Sequence, residues 1–226
     1  MPISEAHHMD CMEFMARQPD RRFTCGVPDP PYGIGESSKN HKSRNTPIVQ
    51  KNGTILRTKQ PEYGNSDWDA QIPPPEYFTE LSRVTRNQII WGANYFPPAD
   101  GGRPFKSPRR QEYQQFIKDH PTNWIIWDKV NGGNDFNDCE LAWTSFPVPT
   151  EVFYFMWNGM MQGVSCDQGL LMQGNKALNE KRVHPTQKPL AIYHWLGRKF
   201  FLPGDSWFDS HMGGSGKPDC GMEDGY

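Results

Sequence analysis

Apolar positions along the chain alternate between a helical period of about 3.6 and a strand period of about 2, dividing it into short helices and strands. Over residues 5–17, Met9, Met12, Met15 and Ala16 fall on one stripe and predict a helix. Phe23 to Val27 is a short apolar run that predicts a strand, and it ends in the rigid turn Asp29-Pro30-Pro31-Tyr32. A polar stretch fills 34–72. Pro73-Pro74-Pro75 then opens a helical pattern in which Phe78, Leu81 and Val84 align, and Gln88 to Trp91 predicts a buried strand. Residues 97–121 are rich in Pro and Arg. Trp124 to Trp127 and Glu151 to Met156 predict two further strands, followed by a polar, glycine-bearing insert at 157–183. Pro189 opens a last helix with Leu190, Tyr193, Leu196 and Phe200 on one face. Ser206 to Asp209 predicts a strand that runs into Gly213-Gly214-Ser215-Gly216. Helices and strands alternating without an internal repeat predict an α/β sheet protein, one domain over 1–226 with loop inserts near 34–66, 97–121 and 157–183.

Composition changes this picture in two places. A chain of 226 residues that is 35% hydrophobic buries one substantial core, yet its 21 Pro and 21 Gly assign much of it to turns and loops. No apolar run approaches the roughly 20 residues that span a bilayer, and the N-terminus has no basic segment followed by an apolar one. A soluble, cytoplasmic protein without membrane contact is therefore expected. The cysteines Cys11, Cys25, Cys139, Cys166 and Cys220 are odd in number and form no C-x-x-C pair, so reduced thiols are expected rather than a disulfide framework. The histidines form no H-E-x-x-H, and no metal site is expected.

A net charge of -2 does not by itself suggest a nucleic-acid partner, but the basic residues are clustered. One group is Lys39, Lys42, Arg44, Lys51, Arg57 and Lys59, a second is Arg103, Lys106, Arg109 and Arg110, and a third is Lys181, Arg182 and Lys188. Each lies in a Gly/Pro/Asn-rich stretch and reads equally as a solvated loop or as a phosphate contact.

Asp29-Pro30-Pro31-Tyr32 follows a predicted strand, and the carboxyl ends of strands are where open α/β sheets bind ligands. The residue types suit chemistry on an exocyclic amine, whose lone pair is delocalised into its ring. A carboxylate and a backbone carbonyl are both acceptors. Together they bind the two amine hydrogens and favour a tetrahedral nitrogen with its lone pair aimed at an electrophile. Prolines hold that carbonyl rigidly, and an aromatic ring stacks on a base.

This box resembles that of the adenine-N6 and cytosine-N4 DNA amino-methyltransferases. Its place near the N-terminus, with His184-Pro185-Thr186-Gln187-Lys188-Pro189 next and Phe208 to Gly216 last, is similar to the circularly permuted beta class found in phages and bacteria. Asn65 to Phe96 and Trp124 to Phe146 share the likeness, so it covers most of 9–216. The resemblance implies a Rossmann-like, S-adenosyl-L-methionine-dependent sheet, permuted, acting on adenine N6 in double-stranded DNA. A bacterial or phage-infected cell would be its setting, and a cognate restriction enzyme a partner. It implies that Asp29 and the Pro30 carbonyl hold the amine, Pro31 fixes the turn and Tyr32 stacks on the flipped base. It places cofactor contacts on Asp10 and Cys11, on Asp29, on Thr186, Gln187 and Lys188, and on Asp209, Ser210, His211, Gly213, Gly214 and Gly216. The target base must leave the duplex, which costs a few kcal/mol, and the three loop inserts are candidates for the DNA contacts that offset it.

Three features depart from the family's pattern. Only Lys217 to Tyr226 follow the glycine loop, so the sheet is expected to be incomplete at that end and cofactor binding weakened. The loop reads Gly-Gly-Ser-Gly, which shifts its last glycines relative to Asp209. Pro28 stands where a central strand continues into the turn and removes a ladder donor. Two other readings follow: a cytosine-N4 enzyme, which Asp29 in first position disfavours, and an inactive DNA-binding remnant. A third is a peptide ligand, since Pro74-Pro75-Glu76-Tyr77 matches P-P-x-Y, though the same residues suit a helix start.

Overall fold

The computed structural model describes residues 4–35, 69–97, 104, 106–109, 111–130, 138–158, 161–163, 179–181 and 187–212, with two short strands at 48–49 and 55–56. The described elements run α1 (Cys11–Ala16), β1 (Phe23–Gly26), β2 (Ile48–Val49), β3 (Ile55–Leu56), α2 (Pro75–Val84), β4 (Thr85–Trp91), a 3-10 turn (Ala93–Tyr95), α3 (Tyr113–Asp119), β5 (Trp124–Asp128), β6 (Cys139–Thr144), β7 (Glu151–Tyr154), β8 (Met156–Asn158), β9 (Met161–Gly163), α4 (Leu190–Phe200) and β10 (Trp207–Phe208). Six of the strands form one sheet in the order β10-β1-β4-β6-β5-β7. The pairs β1–β10, β1–β4 and β5–β7 are parallel, and β6 alone runs against its neighbours β4 and β5. Pairs β2–β3 and β8–β9 form separate antiparallel ribbons.

Side chains alternate across the sheet with the strand period and fill a layer on each face. On one face Cys25 and Val27, Ile89 and Trp91, Ile125 and Trp127, and Ala142 pack with Ile192 and Leu196 of α4. On the other, Ile90 and Phe208 pack with Met15 of α1 and with Tyr77, Leu81 and Val84 of α2, while Ile126 and Leu141 pack with Phe116 of α3. Burying each large apolar side chain in these layers contributes roughly 2 kcal/mol relative to exposure. The result is an α/β protein with a mostly parallel six-stranded sheet, compatible with a Rossmann-like fold.

Local chemistry sets the helix starts. Asp10 caps α1 through Oδ1, which accepts from the amides of Met12 (2.9 Å) and Glu13 (3.1 Å). That cap fixes the start at Cys11, so the stripe expected over 5–17 is reduced to six residues, of which only Met15 is buried. Pro75 is the first residue of α2. Tyr77 in its first turn is 1% exposed, so the P-P-x-Y segment is a helix start and cannot present its tyrosine as a surface ligand.

Several expectations are corrected. Residues 97–121 contain α3, whose Phe116 is in the core, rather than being loop throughout. The inserts at 34–66 and 157–183 contain the β2–β3 ribbon and the β8–β9 ribbon. The strand expected over 151–156 divides at Phe155, whose amide donates to the Asp128 carbonyl (3.0 Å) as the chain leaves the sheet. β6 was not anticipated, because Cys139-Glu140-Leu141-Ala142-Trp143-Thr144 alternates only weakly. Pro28 lies beyond β1 and still serves its neighbour as an acceptor: its carbonyl receives the Trp91 amide (3.1 Å), while the Val27 amide donates to the Phe208 carbonyl (2.8 Å). Among the described residues no helix is long and apolar enough to cross a membrane.

Candidate functional site

Strands β1 and β10 leave the sheet as parallel neighbours, and their carboxyl ends carry Asp29 and Asp209. Chain crossovers reach β4 on one side of β1 and β10 on the other, the arrangement at which open parallel sheets form a ligand crevice.

The turn after β1 is tied down on three sides. Tyr32 donates its hydroxyl to Asp29 Oδ1 (2.6 Å), closing the turn on itself. Asp69, a 2% exposed carboxylate, accepts from the amides of Tyr32 (2.7 Å) and Gly33 (3.0 Å). The Tyr32 ring stacks on Tyr95, with centroids 5.2 Å apart and planes inclined by 20°, and meets Phe96 edge-on at 6.3 Å. Pro30 is buried and Pro31 partly so. Behind the ring is Gly92, with φ of 68°, where a Cβ would stand 2.0 Å from Tyr32 Cε1. Glycine is required there both by the left-handed backbone and by the ring.

Lys188 reaches the same point from the segment before α4. Its ammonium lies 2.6 Å from Asp29 Oδ2, 3.1 Å from the Tyr32 hydroxyl and 3.3 Å from Glu140 Oε2, and its side chain is 2% exposed. Trp91 lies under the ammonium at 5.0 Å. Glu140, the second residue of β6, also pairs with Lys129, which follows β5. Burial would lower the Lys188 pKa, but Asp29 and Glu140 outweigh it and hold the pKa above its ordinary value. Burial would likewise raise Glu140, but Lys129 and Lys188 bring it down to about 2. Burial also lifts Tyr32 well above the ordinary phenol range, with Asp29 adding to the effect, so its hydroxyl stays protonated and donates. Lys188 was grouped by sequence with Lys181 and Arg182 as a basic cluster; its burial removes it from any phosphate-contacting surface.

Beside this network lies a second set of polar groups. Ser210 Oγ is 2.6 Å from the Tyr77 hydroxyl and 2.9 Å from His211 Nδ1, and the His211 amide donates to Asp209 Oδ1 (2.9 Å). Burial lifts the Asp209 carboxyl to about 7, opposed by the His211 amide and helped by the nearby Asp29 charge. Burial lowers the His211 pKa. Burial raises the Cys11 thiol, with Asp10 adding to the shift, and Cys11 is close enough to raise Tyr77 in turn. Asp10 and Asp29 both act on His211.

The structure therefore brings together Asp10, Cys11, Asp29, Tyr32, Lys188, Asp209, Ser210 and His211. Gln187 is placed otherwise. Its Nε2 donates to Glu180 Oε1 (2.7 Å) and its carbonyl accepts from Trp157 Nε1 (2.8 Å). Glu180 Oε2 also accepts the first amide of α4, from Leu190 (2.9 Å). Gln187 is thus part of the anchor that fixes the entry to α4 and, with it, Lys188. Thr186, Gly213, Gly214 and Gly216 lie outside the described residues. The sequence reading missed Asp69, Gly92, Tyr95 and Glu140. Gly92, between a strand and an aromatic pair, carried the one available signal; a buried carboxylate after a long polar stretch and an acidic residue opening a weakly alternating strand carried none.

Among the described residues no group of three or more His, Cys, Asp and Glu is placed to hold a metal ion. The acceptors at the ends of β1 and β10 suit a ligand bearing positive charge, since a partly buried, desolvated carboxyl such as Asp209 is stabilised in its charged form by a cationic partner. Compared with protein-family models and with curated proteins, the sequence gives no match.

Proposed function

We propose that the chain is an S-adenosylmethionine-dependent DNA methyltransferase acting on the N6 amine of a flipped-out adenine, built on a circularly permuted sheet. The observation that carries the reading is the adjacency of two carboxylates with different environments at the ends of neighbouring parallel strands. Asp29 is held by Tyr32 and Lys188, and Asp209 is desolvated beside Ser210 and His211. The first suits an amine acceptor, and the second suits the cofactor.

When bound, S-adenosylmethionine supplies a methyl group made electrophilic by a sulfonium. Asp209, Ser210 and His211, with Asp10 and Cys11 beside them, are the residues that would hold it. Asp29 keeps one oxygen on Lys188, and its other oxygen accepts a hydrogen of the target amine in place of the Tyr32 hydroxyl. The Pro30 carbonyl accepts the second amine hydrogen. Tyr32, released from Asp29, stacks on the base with Tyr95 behind it. The proton leaves the nitrogen after transfer, and no base catalyst is required.

The test is transfer of labelled methyl groups from S-adenosylmethionine to unmethylated DNA, with nucleoside analysis of the product and Asp29→Ala as control. Label in N6-methyladenine that is lost in the variant supports the reading. Label in N4-methylcytosine moves it to the other amine, and no transfer overturns it.

A further inference from the structure

We propose that Glu140 is a positioning residue of the Asp29 site, acting through Lys188: it takes one side of the buried ammonium and so confines Lys188 to a single oxygen of Asp29. This rests on the reading of Asp29 as the group that holds the target amine.

An ammonium has three donors, and Lys188 has three oxygens around it: Asp29 Oδ2, the Tyr32 hydroxyl and Glu140 Oε2. Glu140 is divided in the same way, with Oε1 toward Lys129 and Oε2 toward Lys188. Charges therefore alternate along Lys129, Glu140, Lys188 and Asp29, and they sum to zero in a part of the protein where an unbalanced charge is costly. With Glu140 neutralised, the Lys188 ammonium falls on Asp29 and Tyr32 alone. It then competes with the target amine for the lone pairs of that carboxylate and keeps the Tyr32 hydroxyl engaged. Glu140 touches neither base nor cofactor in this account; it sets how much of Asp29 is left to do so.

The experiment measures kcat, the KM for cofactor and the pH profile of methyl transfer for the wild type, Glu140→Gln, Glu140→Asp and Lys129→Met. Glu140→Gln is expected to lower kcat by about tenfold while the cofactor KM moves by less than about threefold. Glu140→Asp recovers part of that loss. The profile adds a readout that packing alone does not move. Lys188 faces Asp29 and Tyr32 from the end of β1, Glu140 from β6, the Trp91 ring from β4, and the Asp209 charge from the end of β10. Turnover still needs the charged ammonium to hold Asp29 Oδ2 in place, and without the Glu140 charge burial pulls the Lys188 pKa down against fewer opposing groups, so the alkaline limb of kcat moves to lower pH. Lys129→Met removes a repelling cation instead, and moves that limb to higher pH. Lys129→Met also carries the test if Glu140→Gln fails to fold. A wild-type kcat and limb in Glu140→Gln, or a loss confined to cofactor KM, overturns this proposal alone. A wild-type protein that transfers no methyl group overturns the functional reading and this proposal with it.

Discussion

The ring of Tyr32 occupies the space in which residue 92 would carry a side chain: a Cβ on Gly92 would stand 2.0 Å from Tyr32 Cε1 and 2.6 Å from Cζ. The turn after β1 and the turn after β4 are thereby fitted to one another. An aromatic ring can be seated this deeply only where the facing backbone is bare.

Gly92→Ala is accordingly expected to be destabilising twice over. The left-handed backbone at φ of 68° costs an alanine about 1–2 kcal/mol, and the clash displaces Tyr32 as well. Thermal unfolding and methyl transfer measured together check this. Both fall if the ring is displaced, whereas an unchanged melting temperature would mean that the ring does not rest there.

Lys188→Met removes the cation shared by Asp29 and Glu140 and leaves two carboxylates facing each other. Breaking a buried pair in this way costs about 3–5 kcal/mol, with Glu140 retaining Lys129 as partial relief. Urea denaturation measures the loss. A change below about 1 kcal/mol would place Lys188 among exposed pairs, at odds with its burial.

Asp69→Ala strips the acceptor from two amides of the turn, those of Tyr32 and Gly33. Both bonds are only part-buried, so each lost acceptor costs about 0.5–1.5 kcal/mol, and the turn loosens locally before the sheet does. Hydrogen exchange at residues 32 and 33 is expected to accelerate in Asp69→Ala and to stay near wild type in Asp69→Asn, which keeps an acceptor oxygen.

Acidity acts on the ligand-free protein in two separate windows. Asp209, raised from 3.8 to about 7, contributes stability that is full below 3.8 and is lost as pH rises through about 7. Glu140, lowered from 4.5 to about 2, contributes stability present above 4.5 that is lost as pH falls through about 2. Melting temperatures across these ranges separate them: Asp209→Asn flattens the upper window and Glu140→Gln the lower. A pH dependence between about 4 and 7 that is the same in the wild type and in Asp209→Asn contradicts the raised pKa of Asp209.

Most of the sheet could be read from the sequence, because β1, the end of β4, β5, β7 and β10 carry short runs of aromatic and branched residues. The start of β4 and all of β6 were harder to see. Thr85-Arg86-Asn87 begins β4 directly from the end of α2, with no loop to mark the change, and packing rather than propensity decides it. Part of the candidate site was legible for a similar reason. Asp29 and Tyr32 belong to a compact local string, whereas Asp69 and Glu140 reach the turn through tertiary structure. Lys188 stood out in sequence for its motif, but its position between two carboxylates depends on β6, which the pattern did not reveal.

The reversal of β6 has a consequence for how the site can vary. Because β6 runs against its neighbours, its first residues lie at the end of the sheet where β5 finishes, with Trp127 opposite Glu140 and Asp128 opposite Cys139. The antiparallel pair β5–β6 thus delivers a cation from its outgoing arm and an anion from its returning arm to the same place. Lengthening or shortening the connection between Lys129 and Asp138 would retune the charge around Lys188 while the opposite end of the strands, where the chain passes from β6 to β7, keeps its packing.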